Sequence, residues 1–174
     1  MKHNPQTANV ITRIAQLADL PAIVSIYNQA VPGRRSTANT IPWTVESRTP
    51  WFMEHESEKH PIFVAEVGGQ VVGWCSLSVY RPGRLALRFT AEISYYIDSR
   101  FQRRGVGSTL ISHALDVCPS LNIKNVIAVI IDRNEASKRL LEKLGFEQWA
   151  YLPRVLDFDG QEFGEYYYGM RVDQ

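Results

Sequence analysis

The stretch Ala91-Glu92-Ile93-Ser94-Tyr95-Tyr96-Ile97-Asp98-Ser99-Arg100-Phe101-Gln102-Arg103-Arg104-Gly105-Val106-Gly107-Ser108-Thr109-Leu110-Ile111 decides the fold, and its pattern runs on to Cys118. Ile93, Tyr95 and Ile97 alternate with Ser94, Tyr96 and Asp98, which is the period of a strand. Val106, Leu110, Ile111, Ala114 and Leu115 recur at helical spacing, so an amphipathic helix begins at the glycines. Between strand and helix lies Gln102-Arg103-Arg104-Gly105-Val106-Gly107-Ser108. The first turn of a helix offers unpaired N–H groups and the positive end of the dipole. Gly105 and Gly107 let an anion come close to that backbone, and Arg103 and Arg104 add positive charge. The pattern predicts a turn that takes a phosphate or pyrophosphate. The plainer reading is a strand–helix turn with incidental arginines.

Neither common nucleotide loop is present. No run has the form G-x-x-x-x-G-K-[ST], and the dinucleotide fingerprint fails because Leu110 stands where its third glycine is required. Net charge is +1 and gives no global reason for nucleic acid or an anionic membrane as partner. With 45% hydrophobic and 21% charged residues in 174, the composition predicts an ordinary soluble globule, a single domain over residues 1–174. Cys75 and Cys118 lie in apolar patterns and read as buried thiols of a reducing compartment. The start Met1-Lys2-His3-Asn4-Pro5-Gln6 lacks an apolar targeting core, and no apolar run approaches the length of a membrane span, so a cytoplasmic location is expected. His3, His55, His60 and His113 have no ligand spacing, so no metal is expected, and the helical position of His113 suggests exposure.

Taken in order, Val10 to Ile14 alternates as a first strand. Asp19 and Pro21 open a helix carrying Ile23, Ile26, Tyr27 and Ala30 at helical spacing. Residues 33–40 are polar and irregular, a substrate lid or a plain surface loop. A second helix is expected from about Val45 to Glu58, with Pro50 leaving its start uncertain. Ile62–Val67, the hairpin turn Gly68-Gly69, Gln70–Val79, the turn Pro82-Gly83 and a strand from about Leu87 to Ile97 form a meander. The apolar run Val126–Ile131 reads as a central strand buried on both faces, parallel to the strand ending at Ile97. Asn134 opens a helix with Ala136, Leu140, Leu141 and Leu144 on its apolar side, and Gly145 ends it. Strands at 146–156 and 165–172 flank the hairpin turn Asp159-Gly160.

The motif Q-x-x-G-x-G between strand and helix resembles the acetyl-CoA signature of the GNAT superfamily of N-acetyltransferases. The order β-α-α-β-β-β-α-β-α-β-β is that family's order, and L-E-K-L-G-F resembles its second signature. The implied fold is α/β, or α+β: a mixed, mostly antiparallel sheet of about seven strands with four helices, splayed between the fourth and fifth strands. Within the superfamily the resemblance is strongest to phosphinothricin and methionine-sulfoximine acetyltransferases. Those carry Y-R-x-T-x-E-x-S-x-Y-V, matched here by Leu87-Arg88-Phe89-Thr90-Ala91-Glu92-Ile93-Ser94-Tyr95-Tyr96-Ile97. They also carry N-x-x-S-x-x-L-H-E-x-x-G-F, matched by Asn134 to Phe146 except that Leu141 replaces the histidine.

The resemblance implies acetyl-CoA as co-substrate and a small amino-acid-like amine as acceptor. By the same resemblance, the backbone of Tyr95, Tyr96 and Ile97 holds the pantetheine arm. Gln102, Arg103, Arg104, Gly105, Val106, Gly107 and Ser108 hold the pyrophosphate, and Asn134 and Ser137 contact the cofactor. Glu92 matches the family's general base; its bland alternative is an exposed glutamate or one paired with Arg88. Arg81 and Arg88 are candidate anchors for the acceptor's acid group, and Trp43, Tyr80 and Phe89 candidate pocket walls. Leu141 cannot supply the proton that the family's histidine or tyrosine gives the departing thiolate; either water or the thiolate's own low basicity suffices, or another residue such as Tyr166 or Tyr167 serves. No cysteine stands at a nucleophile position, so direct attack in a ternary complex is expected. A homodimer through the aromatic run Tyr166-Tyr167-Tyr168 is also expected. Rival readings are a peptide or protein N-acetyltransferase and a CoA-binding sensor without turnover.

Overall fold

The structure, a computed structural model, describes residues 9–55 and 57–172. The N-terminal segment read for targeting, with His3, and position 56 of the expected second helix lie outside the described residues. The first strand, β1, spans Ile11–Ile14, and α1 spans Leu20–Asn28. Asp19 precedes α1 without capping it through its side chain. Its carboxylate instead takes Arg13 Nη1 at 2.7 Å and the Gln16 amide at 2.7 Å, tying β1 to α1.

Helix α2 (Val45–Met53) starts at Thr44, not at Pro50, because Thr44 Oγ1 accepts the Ser47 amide at 3.1 Å. It stops at Met53, well short of residue 58. There His55 Nδ1 folds back onto the Trp51 carbonyl at 2.8 Å and satisfies one of the helix's last free acceptors.

The meander follows as β2 (Ile62–Val67), β3 (Gln70–Val79) and β4 (Thr90–Ile97). Strand β4 begins later than Leu87 because Leu85–Leu87 form a 3-10 turn closed by Arg88. Helix α3 (Val106–Val117), β5 (Asn125–Ile131) and α4 (Glu135–Lys143) come next, then the hairpin β6 (Glu147–Phe158) and β7 (Gln161–Arg171). The turns Gly68-Gly69 and Asp159-Gly160 each have positive φ at both residues, the twist that a two-residue hairpin needs.

The seven strands form one sheet in the order β1-β2-β3-β4-β5-β7-β6. Every pairing is antiparallel except β4 with β5. The last strand thus inserts beside β5 and pushes β6 to the edge. On one face α3 and α4 cover Leu77, Ile93, Leu110, Ile111, Leu141 and Tyr168. On the other, α1 covers Ile23, Tyr27, Val64 and Trp74, with α2 residues packed alongside. Each fully buried side chain of this size contributes about 1.5–3 kcal/mol of transfer free energy. Val126, Ala128 and Ile131 are buried, as expected of a central strand.

The parallel pairing is short. Thr90 pairs with Asn125, Ala91 with Val126 and Glu92 with Ile127, and there the register ends. Beyond it, residues 93–97 of β4 and 128–131 of β5 diverge, leaving a cleft in the middle of the sheet.

Candidate active site

Parity along β4 decides which groups face the cleft. The Asp98 amide bonds the Val72 carbonyl at 2.9 Å, while Phe89 O accepts amides from Lys124 and Asn125 on the β5 side. An antiparallel ladder uses alternate residues, so the even-numbered residues of β4 bond β3 and the odd-numbered ones face β5. The N–H and C=O of Ile93, Tyr95 and Ile97 therefore line the open edge. Tyr96 does not join them: its backbone pairs with Trp74 on β3. Its ring stacks on Trp74 and meets Tyr27 edge-on.

At the cleft's outer end stands the turn before α3. Gly105 occupies the N-cap at φ 86° and makes no side-chain cap. The first-turn amides of Val106, Gly107 and Ser108 thus lack the side-chain oxygen that caps α2 and α4. Gly107 packs tightly, since a Cβ there would lie 3.1 Å from Leu140 Cδ2. Arg103 and Arg104 are exposed and carry no ion pair among the described residues. Gln102 Nε2 reaches the Ile97 carbonyl at 3.4 Å. Asp98 braces the turn: its carboxylate takes the Arg100 guanidinium at 2.7 Å and its pKa falls to about 2.

Glu92 is half-buried at the point where the strands part, on the face shared with α1 and α2. Burial first, and the charge of Glu165 second, push its pKa up. Arg88 does not pair with it: that guanidinium is exposed, bonds the Leu85 carbonyl at 2.9 Å and lies over Phe89. Arg81 is exposed too, and its charge reaches Tyr167, whose pKa is raised mainly by burial and then by Glu165. Opposite Glu92 on β3 is Ser78, whose hydroxyl meets His55 Nε2 at 3.0 Å. Burial lowers the His55 pKa, and its Nδ1 faces a carbonyl, so Nδ1 carries the proton and Nε2 accepts from Ser78.

The same face holds an aromatic box. Tyr27 and Trp43 stack at 3.3 Å between centroids, and Trp51, Trp74 and Tyr96 complete the walls. The Arg48 guanidinium lies 3.4 Å over Trp43, and its buried Nε has no hydrogen-bond partner. Burial lowers its pKa. Arg48 and His55 are absent from the sequence-derived site, although Arg48, Trp51 and His55 recur at helical spacing on one face.

The loop between α1 and α2 closes over the cleft. Ser36 accepts the Tyr96 hydroxyl on its carbonyl at 3.0 Å and the Asn134 amide on its Oγ at 3.3 Å. It therefore spans the two diverging sides. Asn134 also caps α4 by accepting the Ser137 amide at 3.2 Å, while its own amide points to the loop. Arg34 ties the same loop to Asp159 at 2.6 Å.

Several expectations need correction. His113 is half-buried, with its ring edge-on to Phe63. Of the run Tyr166-Tyr167-Tyr168, the last is buried in the core and none is a free aromatic surface. Edge strand β6 instead exposes a group of apolar side chains, Trp149, Tyr151, Leu152 and Val155. Cys75 and Cys118 are fully buried, with burial pushing the Cys118 thiol up to about 12. A separate groove of about 540 Å³ between Thr12 and α3, lined also by His113 and Asp116, shares only Ser108 with the cleft.

The acetyltransferase (GNAT) family model matches residues 21–146. The chain belongs to the GNAT family of N-acetyltransferases. YwnH of Bacillus subtilis, whose name carries phosphinothricin acetyltransferase as a provisional assignment, is 41% identical over 152 residues, 87% of this chain and 92% of its own length. The L-methionine sulfoximine/L-methionine sulfone acetyltransferase of Pseudomonas aeruginosa is 33% identical over 155 residues, 88% of this chain and 87% of that protein. A phosphinothricin acetyltransferase of Sinorhizobium meliloti, solved with acetyl-CoA, superposes with a TM-score of 0.88 at 27% identity, covering 94% of this chain and 88% of that one. This GNAT enzyme is therefore similar in fold and in sequence to phosphinothricin and methionine sulfoximine acetyltransferases. No helix among the described residues is long and apolar enough to cross a membrane.

Proposed function

We propose that this GNAT enzyme acetylates the amine of a small amino-acid-like acceptor, with acetyl-CoA as co-substrate, by direct attack in a ternary complex. The observation that carries the reading is Glu92, a half-buried carboxylate of raised pKa at the point where β4 and β5 part. The cleft suits a CoA thioester. The odd-numbered backbone groups of β4 can pair with the pantetheine amides, and the uncapped turn with Arg103 and Arg104 can take the pyrophosphate. Acetyl-CoA supplies the activated acyl group. Glu92 takes the ammonium proton, through water, so that the amine lone pair is free to attack. The open-edge amides of β4 polarise the acyl oxygen.

The acceptor enters from the α1/α2 face, between the aromatic box and Tyr167. Arg48 is better disposed than the exposed Arg81 and Arg88 to hold its acid group, since a guanidinium with an unpaired buried Nε gains most from a carboxylate or phosphinate. Trp43 packs beneath Arg48 and fixes it. Both thiols are sealed in the core with raised pKa values, which favours direct attack over a cysteine-bound intermediate. The protein acts in the cytoplasm as a single domain, and as a homodimer in which edge strand β6 supplies the apolar surface.

The test is a panel of amino acids, methionine sulfoximine and phosphinothricin, with CoA release followed and the products weighed by mass spectrometry. An N-acetylated small amine is expected. Acetylation of peptide N-termini alone, or tight acetyl-CoA binding with no product from any amine, would refute the acceptor class.

A further inference from the structure

Acetyl transfer from a thioester ends with charge on sulfur, and a buried thiolate needs a hydrogen-bond donor. Leu141, which stands on α4 where the resembling sequences carry histidine, is fully buried in the core and has none to give. Tyr95 belongs to the diverging part of β4, two residues past Ile93 and outside the β5 pairing. Its ring lies on the α3/α4 side of the sheet and packs against that core. Its hydroxyl is buried and makes no hydrogen bond, although it comes near Ser137 in the first turn of α4. The side chain therefore reaches from β4 toward the first turn of α4. Ser137 and Leu141 are one helical turn apart on the same face, so the Tyr95 hydroxyl arrives beside the side chain that carries no donor. An unpaired buried hydroxyl costs about 1–3 kcal/mol, so a hydroxyl with only Ser137 nearby is available to a bound molecule. Position 95 is open in the motif Y-R-x-T-x-E-x-S-x-Y-V, so the motif itself does not demand a tyrosine there.

We propose that the Tyr95 hydroxyl donates the hydrogen bond that stabilises the departing CoA thiolate, the place Leu141 leaves empty. The proposal rests on the acetyl-transfer reading above. One ammonium proton goes by water to Glu92 before attack; as the N–C bond forms and the C–S bond breaks, the electron pair goes to sulfur and the second nitrogen proton leaves to solvent. The sulfur accepts the Tyr95 O–H hydrogen bond and takes its own proton from solvent on release. Burial pushes the phenol up to about 12, so it stays a donor at working pH. Tyr166 and Tyr167 are worse placed. Tyr166 is engaged with Tyr151 and Tyr168, and Tyr167 lies on the Glu92 face.

The experiment titrates bound CoA by its ultraviolet thiolate absorbance in wild type, Tyr95→Phe and Tyr167→Phe, and measures affinity for CoA and desulfo-CoA by calorimetry. Removing an unpartnered hydroxyl leaves thermal stability unchanged or higher. In Tyr95→Phe the bound thiol is expected to titrate about one pH unit or more higher. Thiolate affinity and kcat should each fall ~10–100-fold, the range of a hydrogen bond to a charged group, with desulfo-CoA affinity unchanged. Equal thiol titration in wild type and Tyr95→Phe overturns the proposal, as does a shift confined to Tyr167→Phe. Thiol titration that shifts in a protein that acetylates no amine would keep Tyr95 and remove the acceptor reading. A wild type that binds neither CoA nor desulfo-CoA overturns both.

Discussion

Glu92 and Ile127 are the last residues that β4 and β5 share in register. A carboxylate at that fork is covered by protein on the α1/α2 side and faces the opening where the strands diverge. Desolvation then works with Glu165 to keep it readily protonated. The rate should follow that ionisation. A base must be charged to accept a proton, so kcat/KM rises with pH through a limb above the ordinary glutamate range. Glu165→Gln removes the like charge and should move the limb to lower pH. A pH profile unchanged in Glu165→Gln would break this coupling.

The pyrophosphate turn predicts a salt signature. Arg103→Ala with Arg104→Ala should weaken acetyl-CoA about tenfold at low salt and less at high salt, because exposed charges are screened within roughly 8–10 Å. kcat at saturation should hold. Calorimetry at two ionic strengths reads both effects.

Asn134 has two structural duties, capping α4 and holding Ser36. Asn134→Ala should cost about 0.5–2 kcal/mol of stability from the lost cap. It should also raise the acceptor KM, since the loop that spans the cleft loses a tether. Asn134→Asp keeps the cap and loses the amide donor, so denaturant melts should separate the two effects.

Acid stability turns on Asp98. Arg100 first, and the Arg100 amide after desolvation, hold its folded pKa near about 2 against an ordinary 3.8. A depressed carboxylate contributes stability above its unfolded pKa and loses it as pH falls through the folded one. Wild type should therefore lose stability relative to Asp98→Asn between about pH 4 and 2. Parallel acid melts of the two proteins would contradict this.

The sequence carried the strand–turn–helix at 91–118 because its periods of 2 and 3.6 meet at glycines, where local rules dominate. It placed Gly105, Asn134 and the parallel β5 for the same reason. It did not carry the insertion of β7 between β5 and β6, since strand order is set by long-range packing. Nor did it carry the backbone parity that turns Tyr96 away from the cleft, which follows from register with β3. Arg48, His55 and Ser36 were missed because their partners lie on other elements. Only the spacing of Arg48, Trp51 and His55 beside Trp43 gave a local hint, and aromatic stripes usually mean core. The contacts of Arg88 were not legible either, because a 3-10 turn before β4 points it at Leu85 and Phe89.

The measurement that bears most directly on the account is steady-state acetylation by Glu92→Gln, with acetyl-CoA affinity measured on the same protein. Loss of a general base predicts kcat lower by ~10²–10⁴-fold at neutral pH with acetyl-CoA affinity unchanged and the rising pH limb abolished. Turnover that survives the substitution with the same pH limb would contradict it and remove Glu92 from the chemistry.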